Sequence, residues 1–452
     1  MEKENKLGTM PISKLIINMS LPIIISMLVQ ALYNIVDSVF VSRVCEQALT
    51  AVSLAFPAQN LMIGLATGTA VGVNALMGRA LGAKDQERAN AVAINGVFLA
   101  VVGFAICAVL ALLFAGPFFR SQTQIDYIVE NGTDYLLVCC CGSLGLFCEI
   151  MFERLLQGTG RSILSMYTQG LGAIVNIVLD PIFIFVLDMG VTGAAVATVI
   201  GQFCGCILAL IFNLKKNKEI HLQFRGFRPN WRLVGNIYAI GLPSVIMVAI
   251  GSVMTFLMNK ILITYHSARE TAATAFGIYF KLNSFVFMPV FGVTNALVPI
   301  VGYNYGARSS QRIQQATRLS LLMTTAIMAL GTVIFQVAPG PLLSLFSASD
   351  TMLSIGIPAL RIISLSFLLA GFDIIIISVM QALGHGVISL IISILRQLAV
   401  LLPAAFIFSK IWGLNTVWIA FPLSECVALA ITILFWRKVY RNEIQPLYNA
   451  ER

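Results

Sequence analysis

The chain has 452 residues, of which 58% are hydrophobic and 11% charged, with a mean hydropathy of +0.89. Soluble globular proteins carry about 25% charged residues, so the composition excludes a water-soluble globular protein and points to a polytopic membrane protein. The formal net charge of +9 would suit a nucleic-acid partner if it were clustered, but its spacing along the chain reads as topology.

A helical span needs roughly 20 apolar residues, and twelve runs qualify, near 16–40, 53–77, 92–116, 131–155, 162–187, 190–213, 236–263, 271–301, 316–338, 353–382, 387–409 and 414–437. None shows the alternation of barrel strands, so the fold class is all-α with twelve transmembrane helices. The first run is too long for a signal-peptide core and no small-residue cleavage site follows it, so it stays as a helix; it carries Pro22 and Asp37. The second carries Gly64, Gly68 and Gly72, a small-xxx-small ridge for close backbone approach. The fourth carries "CCC" at 139–141 and Glu149. Successive helical residues point about 100° apart, so those three thiols do not converge on one metal and read as packing. The fifth, "VNIVLDPIFIFVL" at 175–187, places Asp180 beside Pro181 deep in apolar surroundings. Spans seven and eight hold Met254, Met258, Phe280, Lys281, Phe287, Met288 and Phe291, and span ten holds Asp373.

With both termini inside, 21 of the 29 Lys and Arg fall in cytoplasmic segments, and the external loops hold only Arg43, Arg120, Arg269 and Lys410. The positive-inside rule therefore predicts cytoplasmic termini. The two halves of the chain also answer each other. "SLPIII" at 20–25 matches "GLPSVI" at 241–246, "GRALGAKD" at 78–85 matches "GYNYGARS" at 302–309, "LQGTGRS" at 156–162 matches "MQALGHG" at 380–386, and "MGVTGA" at 189–194 matches "WGLNTV" at 412–417. The shift holds between 221 and 224, the mark of a duplicated six-span unit in parallel orientation. We divide the chain into an N-terminal bundle over 1–214, a cytoplasmic linker over 215–235, a C-terminal bundle over 236–437 and a cytoplasmic tail over 438–452.

Counting along the helices places the polar groups. Asp180 lies eight residues before Asp188, roughly 12 Å below the outer end at 1.5 Å per residue. Asn176 is one helical turn earlier on the same face. Asp37 lies roughly 9 Å deep on span one and Thr198 about 15 Å deep on span six. Pro181 adds an oxygen, because a mid-helix proline leaves the carbonyl of Ile177 without its donor. Two carboxylates, an amide and a hydroxyl at one depth suit Na⁺ or a proton, and intramembrane carboxylates are costly to keep for packing alone. An inert hydrogen-bonded network is the competing reading. Glu149 and Asp373 sit at the repeat shift of 224, each eight residues before a matching glutamine, Gln157 or Gln381. They would give a substrate cavity negative character, unless neutralised by Arg154 or another base; Lys260, Lys281, Arg361 and Arg396 are the further candidates, with Lys281 and Asp373 the pair expected in the interior of the second bundle. Met254, Met258, Phe280, Phe287 and Met288 are candidates for adaptable cavity walls.

At these residues the chain closely resembles the multidrug and toxic compound extrusion (MATE) transporters. The resemblance is carried by "LPIIISMLVQALYNIVDSVFVSR", "GRALGAKD", "LLQGTGRS" and "NIVLDPIFIFVLDMGVTGAAVAT" and extends over all twelve spans, nearest to the bacterial and archaeal branch. It implies a secondary antiporter of the prokaryotic plasma membrane, a functional monomer that exports amphipathic, mostly cationic drugs in exchange for H⁺ or Na⁺ and uses no cofactor or nucleic-acid partner. It also implies that Asp37, Asn176, Asp180 and Thr198 bind the coupling ion and that span one bends at Pro22. The sister branch uses acids on spans seven and ten; Asp373 fits the second, but Asn259 and Lys260 stand where the first would be.

A flippase of lipid-linked saccharides shares the architecture but calls for several cavity arginines, and intramembrane acids outnumber them here. An embedded enzyme calls for a reactive constellation. His221, His266 and His385 fall in loops without metal spacing, and neither an Asp-rich diphosphate motif nor a nucleophile elbow occurs.

Overall fold

The computed structural model describes residues 5–264, 269–346 and 349–451. Fourteen helices carry the spans: α1 Ile12–Val41, α2 Gln47–Gly82, α3 Gln86–Gln122, α4 Asp126–Cys141, α5 Leu144–Gly158, α6 Ser162–Val186, α7 Gly190–Lys215, α8 Trp231–Ile263, α9 Thr271–Gly306, α10 Ser310–Val337, α11 Asp350–Ser364, α12 Phe367–Ala382, α13 Gly386–Trp412 and α14 Leu414–Tyr448. Ten cross a membrane by length and apolarity, and the pairs α4–α5 and α11–α12 each make one bent span. The twelve-span, all-helical reading holds, with one correction. Spans four and ten, expected as single rods, are broken by 44° and 48°. Ser143 and Ser366 explain where: each hydroxyl folds back to donate to a carbonyl three residues earlier, Cys140 at 2.7 Å and Ile363 at 2.6 Å. Such back-bonding competes with the helical ladder and bends it.

The duplication persists in three dimensions. Helix starts at residues 86 and 310, 126 and 350, 162 and 386, and 190 and 414 are all 224 apart. The chain divides into two compact units, Met1–Val245 with Gly302–Ala307, and Ile246–Val301 with Arg308–Arg452.

In the first unit, glycines let backbones meet. A Cβ on Gly68 would lie 2.8 Å from the Val245 nitrogen, one on Gly241 would lie 2.6 Å from the Gly68 carbonyl oxygen, and one on Gly72 would strike the Ile237 carbonyl. Two of the three ridge glycines of α2 thus seat the start of α8. The segment between α7 and α8 is stitched to α3: Gln86 Nε2 donates to the Glu219 carbonyl at 2.6 Å, Asn90 Oδ1 accepts from His221 N–H at 2.8 Å, and Asn95 Oδ1 accepts from Asn230 N–H at 3.0 Å. Pro22 lies within an unbroken α1, where the Ser26 hydroxyl donates to its carbonyl at 2.9 Å.

The second unit packs around aromatics. Phe276 makes an edge contact with Phe280 at 4.9 Å and stacks near Trp418 at 6.1 Å, with Tyr279 and Phe421 beside them. Met254 and Met258 are buried in this cluster, and Phe280 and Phe287 pack against it.

Candidate cation site in the first unit

Helix α6 turns its polar side inward. Its buried residues are Ser162, Ser165, Thr168, Ala173, Asn176 and Asp180, while Ile163, Tyr167, Ile174 and Val178 are exposed on the other flank. In lipid this inversion is expected: apolar side chains face the tails, and polar ones must find partners within the protein. The partners come from α1, α5 and α7.

At the outer end, Asp180 is fully buried. With the Asn176 amide oriented to suit its neighbours, its nitrogen donates to Asp180 Oδ2 at 3.2 Å and its oxygen accepts from Thr198 N–H at 3.2 Å and Thr198 Oγ1 at 3.1 Å. Gly201 makes that approach possible, because a Cβ there would lie 2.7 Å from the Gly172 carbonyl oxygen and 3.3 Å from Asn176 Cβ. Asp37 on α1 is also buried, and its Oδ1 has no hydrogen-bond partner among the described residues. Its carboxylate is close enough to act on Asp180 and on the hydroxyls of Tyr33 and Tyr135. The four residues predicted from sequence are therefore neighbours. After Pro181 the helix widens into a π turn over Ile182–Val186, closed by Leu187 N–H to the Ile182 carbonyl at 2.9 Å. Such turns cluster at functional sites.

Chemically, this is a set of hard oxygen donors: two carboxylates, an amide oxygen and a hydroxyl. It matches what a small hard cation requires, and the same carboxylates can hold a proton. The orphaned Asp37 oxygen is where an incoming cation would gain most, since a buried acceptor without a donor is costly.

The remaining candidates lie apart from this cluster. Glu149 is buried on α5 against glycines: a Cβ on Gly172 would lie 3.4 Å from its Oε1, and one on Gly205 would collide with it. Arg154, weighed as its counter-ion, instead donates to Gln157 Oε1 at 3.1 Å and lies beside Glu153. The expected Lys281–Asp373 pair does not form. Lys281 is exposed with its Nζ 6.0 Å from the Phe346 ring centre, and the charged groups acting on buried Asp373 are Glu425 and Arg396. Met288 is half-buried, and Met254 and Met258 are consumed by core packing. His385 bonds Glu443 at 2.5 Å, and His266 lies outside the described residues. Sequence reading missed Glu153 and Glu425, although each is an acid inside an apolar run, the signal that singled out Asp180.

The MatE family profile matches twice, over residues 22–182 and 243–407. A multidrug export protein, MepA, of Staphylococcus haemolyticus is 26% identical over 427 residues, covering 94% of this chain and 93% of its own. Among solved structures, an outward-facing multidrug-resistance MATE transporter of the MOP superfamily superposes with a TM-score of 0.91 at 28% identity, covering 99% of both chains. A MATE structure in its bent conformation gives 0.91 at 27% identity, covering 100% of this chain and 99% of that one.

Proposed function

Because the chain belongs to the MatE family, it is a multi-pass membrane transporter and not an enzyme, and we propose that it exports multiple drugs by exchanging them for H⁺ or Na⁺ bound at Asp37, Asn176, Asp180 and Thr198. Its substrates are small amphipathic molecules, mostly organic cations. The two bundles, joined by the 215–235 linker with both termini in the cytoplasm, alternate between outward and inward access. In a prokaryotic plasma membrane the coupling ion arrives from outside.

The observation that carries this reading is the buried Asp37–Asp180 pair, with an unbonded carboxylate oxygen and, among the described residues, no base in an ion pair with either acid. Two such acids are poor company for each other unless a positive charge joins them. Loading that cation stabilises one arrangement of the bundles; drug binding favours the other. A ligand shifts such an equilibrium only through its differential affinity for the two states.

The test is ethidium efflux from cells or proteoliposomes under imposed pH and Na⁺ gradients. Asp180→Asn and Asp37→Asn should each cut gradient-driven efflux by about 100-fold, the scale at which a cation site that needs its charge is lost. Wild-type efflux in both variants would reject this site.

A further inference from the structure

Below Asp180, the buried face of α6 continues as a polar seam that the cation site does not use. Gly172, eight residues and roughly 12 Å further in, faces Glu149 of α5. One turn deeper, the Thr168 hydroxyl donates to Glu153 Oε1 at 2.7 Å, and Gln169 Nε2 donates to Glu153 Oε2 at 2.8 Å. Deeper again, Gln157 Nε2 donates to Ser165 Oγ at 3.2 Å and Gln157 Oε1 accepts from Arg154. The seam ends at the 158–161 turn.

Glu149 and Glu153 are one helical turn apart, both more than nine-tenths buried, and act on each other electrostatically. Glu153 has two donors. Glu149 has no hydrogen bond among the described residues. Facing Glu149 are Cys204 of α7 and Tyr33 of α1; facing Glu153 are Arg154, Thr168 and Gln169. Cys206, which also lies near both acids, is a free thiol hydrogen-bonded with the free thiol of Cys148. Tyr33, beside Gln30, lies within electrostatic reach of Glu149, Asp37 and Asp180, and a phenol can both accept and donate a proton.

We infer that Glu149 and Glu153 form an inner proton-binding pair, linked through Tyr33 to Asp37 and Asp180, by which protons leave the cation site toward the 158–161 turn. This rests on the antiport reading above. The step is a chain of transfers, with water carrying the links to Tyr33: Tyr33 hands a proton to the Glu149 carboxylate and takes one from protonated Asp180, Glu149 passes its proton to Glu153, and Glu153 releases it to cytoplasmic water. Tyr33, Glu149 and Glu153 end as they began, Asp180 is left as a carboxylate ready for the next proton, and one proton has moved inward. A purely structural seam would be served nearly as well by glutamines of the same shape: at position 153 one oxygen still accepts from Thr168, and the Gln169 amide can turn so that its unpartnered Oε1 accepts from the new NH2. An acid without a donor is explained by a titrating role.

The experiment uses the full chain in proteoliposomes enclosing a pH-sensitive dye, with a pH gradient, no Na⁺ gradient, and ethidium as substrate. The double variant Glu149→Gln/Glu153→Gln should lose ethidium-dependent proton flux by roughly tenfold or more, the scale of a lost proton-transfer group, with unchanged ethidium affinity and unchanged melting. Glu153→Asp and Glu149→Asp should recover much of the flux, because they restore the acid. Wild-type flux in the double glutamine variant would overturn the relay, as would aspartates as inactive as the glutamines, or wild-type exchange that follows Na⁺ and ignores pH. Asp180→Asn inactive beside an active double variant would overturn the relay alone; an active Asp180→Asn would overturn the antiport site itself.

Discussion

Glu149 and Asp373 occupy the same place in the two repeats, 224 residues apart, yet they live in opposite surroundings. Advancing Gly172 and Gly201, which close on each other beside Glu149, by the same 224 gives Arg396 and Glu425. In the second unit Arg396 Nη1 donates to Glu425 Oε1 at 3.4 Å and both act on Asp373. Where one half installs a base and a further acid, the other installs two hydrogens and pulls its helices together. The lesson is that duplicated bundles need not duplicate chemistry. Glu425 holds that guanidinium, Asp373 shares only its field and keeps both oxygens without a hydrogen-bond partner among the described residues, and breaking such a set is costly. Glu149, walled by glycine, has no base in an ion pair with it among the described residues.

The strongest way to break this contrast is to remove the second half's base. Arg396→Met should destabilise the protein by about 3–5 kcal/mol, since it strands Glu425 and Asp373 in low dielectric, whereas Arg396→Met/Glu425→Met should come close to neutral. Thermal unfolding in detergent reads both. A smaller effect sharpens the other half. Gly205→Ala drives a methyl into Glu149 Oε1 and should cost about 1–3 kcal/mol, the usual range for overpacking. The same substitution in a Glu149→Ala background should be milder, and a double-mutant cycle measures that coupling. The smallest concerns the turns before α6 and α13, where Arg161 and His385 are the equivalent residues. His385 meets an acid, Glu443, while burial and the neighbouring Arg161 push the Lys6 ammonium below its usual range. A base whose folded pKa is depressed binds fewer protons folded than unfolded, so stability should rise with pH from the depressed value toward 10.5. Lys6→Met should raise the melting temperature slightly and remove that alkaline rise.

Much of this was legible before any coordinates. Twelve apolar runs and a constant repeat shift give the span count and the duplication, because lipid leaves a chain few alternatives to helices. Asp180, Asn176 and Thr198 could be gathered by counting turns, because helical rise is nearly invariant. The breaks at Ser143 and Ser366 were not, since hydropathy is blind to a hydroxyl bonding its own backbone. Nor was the choice among the four bases offered for Asp373, of which Arg396 and not Lys281 is the one that acts on it. Lys281 stands on a helix next in chain order to none of the acids, and periodicity says which face a residue shares, not which distant helix closes upon it. Glu153 carried the same signal as Asp180, an acid inside an apolar run, and lies one helical turn from Glu149.

The inverted face of α6 also bears on how the protein is made. Alone in a bilayer, a helix carrying Asp180, Asn176, Thr168 and Ser165 on one flank would expose that flank to hydrocarbon at a cost of a few kcal/mol for the carboxylate alone. Its cover comes from α1 and α5 before it and α7 after it, so nascent α6 is only partly covered until α7 has been synthesised. The glycine pair 172 and 201 then serves biogenesis as much as transport: it is the clasp that lets the newest helix rescue the previous one.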